Sequence, residues 1–191
     1  GTVDTLVHVG DGEYETQSIM GVIGRTYTLS VSLDGQTYTQ SSKMNDLVEI
    51  DTAIAELSID PFTQEPVHLV TSLFTDPATE NDFYRTLFFV RGKDSISGFA
   101  DFKLSDDPES NTPVQLYQRF REELEVNDTI DVELRHIDLQ TYDYYATLSE
   151  LVSAGFAPQG IPENPKSAWT NGALGYFSAY AVDKRQVIIS E

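Results

Sequence analysis

Arg25-Thr26-Tyr27-Thr28-Leu29-Ser30-Val31-Ser32-Leu33-Asp34-Gly35-Gln36-Thr37-Tyr38 is the stretch that decides the fold class. Tyr27, Leu29, Val31 and Leu33 alternate with Thr26, Thr28, Ser30 and Ser32. A period of two, carried by β-branched and aromatic residues, is the pattern of a half-buried strand. Asp34-Gly35 then supplies two adjacent positions able to reach positive φ, as a tight hairpin turn requires. The expectation is a hairpin with Val31 opposite Tyr38 on one face.

Working outward, the same signals recur. Thr2–Val9 reads as a first short strand, turned at Asp11-Gly12 into Glu13–Gln17, and Gly21 and Gly24 bracket a loop. Leu47–Ile59 is extended and acidic at alternate positions. Asp60-Pro61 and Glu65-Pro66 break it, since proline suits neither a helix interior nor a central strand. A domain boundary is expected there, dividing the chain into 1–60 and 61–191. Beyond it, Val67–Phe74 is apolar. Phe83–Arg91 is apolar on both faces, as expected of a central strand covered twice. Ser95–Leu104 is its expected hairpin partner across Gly92-Lys93, and Val114–Val126 fits neither the helical nor the strand period.

Thr129–Ile137 alternates again, with Ile130, Val132 and Leu134 inside and Asp131, Glu133 and Arg135 outside. His136 falls on the inward side and reads as a structural histidine. The period then changes. Asp138 is placed to cap a helix over 139–154, whose Tyr144, Tyr145, Leu148, Leu151 and Val152 form a stripe at helical spacing. Gly155 is its expected C-terminal stop. Leu174–Val182 and Arg185–Ser190 read as two closing strands, with Gly172 serving a turn and Gly175 a close backbone approach.

Composition narrows the function. Asp and Glu number 31 against 12 Lys and Arg, for a formal charge of −19. These acids are spread along the chain and repel nucleic-acid phosphates and anionic lipid, so no nucleic-acid role is expected. Cysteine is absent, which excludes disulfides and thiolate chemistry within these residues. No apolar run approaches the ~20 residues of a membrane span. The start at Gly1-Thr2-Val3 reads as the product of a cleavage, so a lost upstream segment is expected.

Three stretches together carry a family likeness. They are Gly21–Leu29 with Gly35-Gln36-Thr37-Tyr38; Asn127–Leu134 continuing to Tyr142-Asp143-Tyr144-Tyr145; and Pro162-Glu163-Asn164 followed by Asn171-Gly172-Ala173-Leu174-Gly175-Tyr176-Phe177-Ser178-Ala179-Tyr180. In this order they resemble a family of uncharacterised Bacteroidetes cell-envelope lipoproteins, domain of unknown function 4249. The resemblance implies an immunoglobulin- or transthyretin-like front domain, here amino-terminally truncated, and a β-rich back domain. It implies a lipid-anchored protein of the outer membrane or cell surface, met beside nutrient-uptake systems and without known enzyme activity. The anchor would lie upstream of this chain.

No catalytic motif is found: there is no Gly-x-Ser-x-Gly elbow, no phosphate-cradling glycine loop and no His pair at metal-ligand spacing. No catalytic residue, metal ligand or cofactor is therefore assigned. Asp106, Asp107 and Glu109 form an oxygen-rich loop conceivable for calcium, though it lacks the glycine and terminal glutamate of a standard calcium loop. Trp169 sits in a polar loop where no periodicity demands burial. With Tyr142, Tyr145 and Tyr176 it is the candidate ligand-binding set.

The expected architecture is mainly β. A remnant of a sandwich over 1–60 is followed by an antiparallel, barrel-like domain over 61–191, similar to lipocalins and closed by one helix near 139–154. The expected role is non-enzymatic: binding a glycan, another small molecule or an outer-membrane transporter at the cell surface. A carboxylate-dependent glycan hydrolase and a purely structural assembly module are the alternatives.

Overall fold

The structure, a computed structural model, describes residues 1–77, 81–92, 102–106, 108–109, 111–120, 124–154 and 164–190. It is mainly β, with antiparallel sheets and one long helix. In chain order the elements are β1 (Val7–Gly10), β2 (Glu13–Glu15), β3 (Thr26–Leu33), β4 (Gln36–Lys43), β5 (Ile50–Ile59) and β6 (Pro66–Thr75). They continue with β7 (Phe83–Val90), β8 (Lys103–Asp106), β9 (Pro113–Phe120), β10 (Thr129–Ile137), α1 (Leu139–Ala154) and β11 (Ala181–Ile188).

The core is a sandwich of two sheets. One runs β5-β6-β9, the other β11-β10-β7-β8. Their facing sides bury Ile50, Val70, Phe74 and Phe120 from the first against Tyr84, Phe88, Val132 and Leu134 from the second. Burying each such side chain is worth about 1.5–3 kcal/mol. β7 is covered on both faces, as its sequence demands: every residue from Phe83 to Phe88 is buried. β10 pairs with β7 on one side and β11 on the other without a register break. Ile130, Val132 and Leu134 therefore project inward together.

The sheets do not close into a barrel. The physical reason lies in the segment after α1. Leu174–Tyr180 does not join a ladder, and a single strand, β11, stands where two closing strands were expected. With β11 ending the larger sheet on β10, β11 and β8 are its edge strands among the described residues, and β5 and β9 those of the smaller sheet. The ambiguous segment after Pro113 resolves as a strand to Phe120, because Val114, Leu116 and Phe120 pack on the core.

The break at Asp60-Pro61 is the turn of the β5–β6 hairpin. The Asp60 carboxylate accepts hydrogen bonds from the N–H groups of Phe62 (2.8 Å) and Thr63 (3.2 Å), an arrangement in which Asp fixes a turn by binding its own chain. The boundary expected near residue 60 falls on this turn. Ahead of β5 stand two separate two-stranded hairpins, β1–β2 and β3–β4. The second has the expected turn and register: Asp34 and Gly35 take φ values of 50° and 79°, and Val31 lies opposite Tyr38.

α1 spans the expected residues, and its start is fixed as anticipated. The Thr141 N–H donates to Oδ1 of Asp138 at 2.8 Å, satisfying one of the orphan donors of the first turn. Its expected stop, Gly155, lies outside the described residues, as do Ser95–Asp101 of the expected β7 partner. The part of that strand within them, β8, does pair with β7. α1 covers the outer face of the larger sheet through aromatic and cationic side chains. Tyr142 packs on Phe83 with ring centroids 5.1 Å apart, and the Arg85 guanidinium lies 3.8 Å from the centre of the Tyr145 ring. Among the described residues no helix is long and apolar enough to cross a membrane.

Candidate functional site

The loop carrying Trp169 is built by polar pins. Ser167 Oγ lies 2.7 Å from the carbonyl of Ala173 and 3.0 Å from that of Gly175, drawing the two ends of the loop together. Between them Thr170–Gly172 form one tight turn in which Asn171 and Gly172 take φ values of 58° and 75°. Asparagine and glycine are the residues that enter this left-handed region at least cost. Gly172 thus serves the turn as expected. Gly175, at φ 108°, does not serve a close approach: a side-chain carbon there would meet no atom within 4 Å. Its requirement is conformational.

This loop is stapled to β4. The Thr39 N–H donates to Thr170 Oγ1 at 2.8 Å, and Asn171 Nδ2 donates to the Thr37 carbonyl at 2.8 Å. Farther along, the Gln40 side-chain amide stands in for a strand partner. Its Oε1 accepts from the Phe177 N–H at 2.9 Å, and its Nε2 donates to the Phe177 carbonyl at 3.3 Å. Ser42 Oγ accepts from the Ala179 N–H at 2.8 Å and donates to Asp138. One network therefore links the hairpin, the Leu174–Tyr180 segment and the start of α1.

Where loop and hairpin meet, they enclose an open cleft of about 450 Å³. Val31, Leu33 and Tyr38 line it from the hairpin; Trp169, Leu174 and Tyr176 line it from the loop, together with Asn171, Gly172, Ala173 and Gly175. Trp169 is half-buried. Val31, Leu33 and Leu174 keep 46%, 62% and 62% of their surface exposed, which marks the cleft as apolar surface still in contact with water. Among the described residues no carboxylate or cationic side chain lines it. Its chemistry is stacking, apolar burial and a few neutral hydrogen bonds.

Of the four candidate residues, Trp169 and Tyr176 line this cleft and the other two do not. Tyr145 stands behind it, buried, with its hydroxyl bonded to that of Tyr176 and its ring 4.8 Å from the Tyr176 ring. Burial, then the bond to Tyr176, push the Tyr145 phenol well above its ordinary range, against the opposing pull of Arg85. Tyr145 is thus a neutral buttress that orients Tyr176. Tyr142 faces Phe83 instead, and burial followed by the Asp106 carboxylate raises its phenol. Asp106, expected in a calcium loop, thus stands near enough to Tyr142 to raise its phenol. Asp107 lies outside the described residues, and among those described no three His, Asp or Glu side chains are grouped to hold a metal. Sequence reasoning missed Val31, Leu33, Tyr38 and Leu174 as cleft residues. The alternation around Asp34-Gly35 put the first three on one face, but a period says nothing of which loop will lie beside it.

A second cleft of about 890 Å³ lies near Lys43–Val48 and carries the chain's buried histidine. His136 Nε2 is 3.0 Å from Asp82 Oδ1, and Nδ1 is 2.8 Å from the Asp46 carbonyl. Both ring nitrogens face oxygen, which fixes the ring in place and leaves neither lone pair for a substrate. Tyr84 stacks on it at 4.9 Å and donates to Asp76 Oδ1 at 2.6 Å. His136 is the structural histidine that its inward position implied.

Comparisons with curated proteins and with solved structures find no match to the chain. One protein family does match it, over residues 1–186, and it takes in the hairpin, the helix and the Trp169 loop alike: the chain belongs to the family described as domain of unknown function (DUF4249).

Proposed function

We propose that this chain is a non-enzymatic binding module of the cell envelope, held to the outer membrane by a lipid anchor in its parent and serving nutrient uptake by a Bacteroidetes cell. Its ligand or partner seats on the cleft between the β3–β4 hairpin and the Trp169 loop. One observation carries this reading: the cleft keeps a tryptophan, two tyrosines and three exposed aliphatic side chains in water without a charge among them. Exposed apolar surface of this kind marks interaction sites. The envelope assignment rests on the three stretches of family resemblance.

Trp169 is the sole tryptophan of the chain, so its fluorescence reports on the cleft directly. Titration with a panel of neutral oligosaccharides, short peptides and calcium should give a saturable change for at least one neutral member. Trp169→Ala, which has no tryptophan and is therefore read by calorimetry, should weaken that binding about 30-fold, the loss of roughly 2 kcal/mol expected of an aromatic anchor. It should leave the unfolding midpoint nearly unmoved. A panel that leaves Trp169 silent, or binding that survives Trp169→Ala unchanged, ends the reading.

A further inference from the structure

With 31 Asp and Glu against 12 Lys and Arg, this chain has acids to spare for every base. Most of its bases either use one or stand in water. Arg91, Arg135, Lys166, Lys184 and Arg185 form ion pairs, and Arg25 and Lys43 are exposed. Lys103 on β8 and Arg119 on β9 do neither. Both are half-buried, and among the described residues neither has a carboxylate partner. What they share is Tyr117. The Arg119 guanidinium carbon lies 4.9 Å from the centre of its ring, and the Lys103 ammonium lies 5.9 Å from it.

The topology explains the gathering. β8 ends the larger sheet and β9 the smaller, and the two lie against each other along one side of the sandwich. β9 holds no acid. The acid of β8, Asp106, is an odd number of residues from Lys103 and so on the opposite face, where it raises the phenol of Tyr142. Burial, then the Arg119 charge, pull the Lys103 ammonium below its ordinary range. Two like charges held half out of water oppose each other, and such an arrangement marks a candidate site. Blunting the β8 edge needs one lysine; a second cation on the same ring adds nothing to that. Tyr117 also does what a carboxylate partner could not. Its ring attracts both cations through its quadrupole without using up their N–H donors. It keeps 40% of its surface exposed, so apolar surface stands beside those donors.

We infer that Lys103, Arg119 and Tyr117 form a binding site for the carboxylate of a small acidic ligand, of which an acidic sugar is the type. The site shares no residue with the Trp169 cleft and does not rest on that reading. The planar fork of Arg119 matches the two oxygens of a carboxylate. Lys103 adds a point charge with rotatable donors, and Tyr117 takes a C–H face of the ligand's frame. Charge decides between anions. The chain's net charge of −19 repels every further negative charge, so a monoanion on a neutral frame is favoured over a bare dianion such as phosphate.

Three probes separate these contributions: glucuronate has ring and carboxylate, glucose the ring alone, and inorganic phosphate the charge alone. An NMR titration read on the Tyr117 ring protons should give saturable shifts with glucuronate. Phosphate should bind about tenfold or more weaker, and glucose should leave the ring unmoved. Arg119→Gln and Lys103→Met should each weaken glucuronate binding about tenfold or more. Neither should lower the unfolding midpoint, since each removes one of two repelling charges. Trp169→Ala should leave glucuronate binding unchanged. Silence of Tyr117 toward glucuronate, or glucose or phosphate binding as well as glucuronate does, overturns the inference without recourse to a variant and leaves the Trp169 cleft standing on its own panel. Loss of glucuronate binding in Trp169→Ala moves the ligand to that cleft and overturns the inference as well.

Discussion

Strands β10 and β3 share a period of two, yet Ile130, Val132 and Leu134 of β10 are at most 1% exposed while Val31 and Leu33 of β3 stay near half open or more. β10 has a strand on each side, a second sheet beneath it and, over its outer face, a layer of paired charges. Among the described residues β3 has one strand beside it and a loop across part of one face. Alternation thus states which side chains belong together on a face. Whether that face is covered depends on what else the chain brings to it, and here the uncovered face borders the candidate site.

Mutation can break or sharpen this contrast. The largest effect is expected in the sandwich core. Phe74→Ala, at a fully buried ring, should lower stability by about 3–5 kcal/mol, whereas Leu33→Ala should change it by less than about 0.5 kcal/mol. Urea unfolding of both variants measures the difference; comparable losses would show that β3 is as packed as the core. Next is His136. His136→Ala strips one partner from the buried Asp82 carboxylate and should cost about 3 kcal/mol, read by the same unfolding curve. A loss below about 1 kcal/mol would remove the structural role assigned to the ring.

A smaller effect is expected at the junction of the two regions. Asp138→Ala deletes the helix cap and the acceptor of Ser42 and should cost about 1–2 kcal/mol. Faster amide exchange should appear in both the first turn of α1 and the β4 segment around Ser42. Exchange confined to the helix would show that the hairpin does not depend on this network.

The smallest concerns Glu133 on the outer face of β10. Burial pushes its carboxyl up, but hydrogen bonds from Lys184 and Arg135 outweigh it, and the net shift is downward from 4.5. A depressed carboxyl stabilises the folded state above its unfolded-state pKa, and that contribution fades as pH falls through the folded value. Glu133→Gln should therefore cost less than about 1 kcal/mol at neutral pH. The gap from the parent protein should close as pH drops below 4.5. A gap that widens on acidification would reverse the assignment.

Local chemistry was legible wherever neighbours in sequence settle it. The Asp34-Gly35 turn, the β3–β4 register, the doubly covered β7, the Asp138 cap and the extent of α1 all follow from short-range rules, because turn φ values, the strand period and the first helical turn are fixed within a few residues. The closing strands were misread because Leu174–Tyr180 carries strand-forming aromatics, yet its backbone is engaged by the Gln40 and Ser42 side chains instead of a ladder. No pattern in 174–180 announces a partner 137 residues away. Trp169 could be singled out from its polar loop, and Tyr176 from its aromatic run. Tyr145 could not be separated from them, since a tyrosine that buttresses a site and one that lines it look alike in sequence.

By itself, then, the sequence determined the β class, the single helix, the best-defined hairpin and an acidic, cysteine-free surface, for each is a matter of composition or of neighbours. Only the tertiary structure decided that the sheets stack as an open sandwich and that the hairpin and the Trp169 loop enclose a cleft. The cleft depends on contacts between residues more than a hundred positions apart, and both outcomes are set by packing and hydrogen-bond satisfaction across the whole fold.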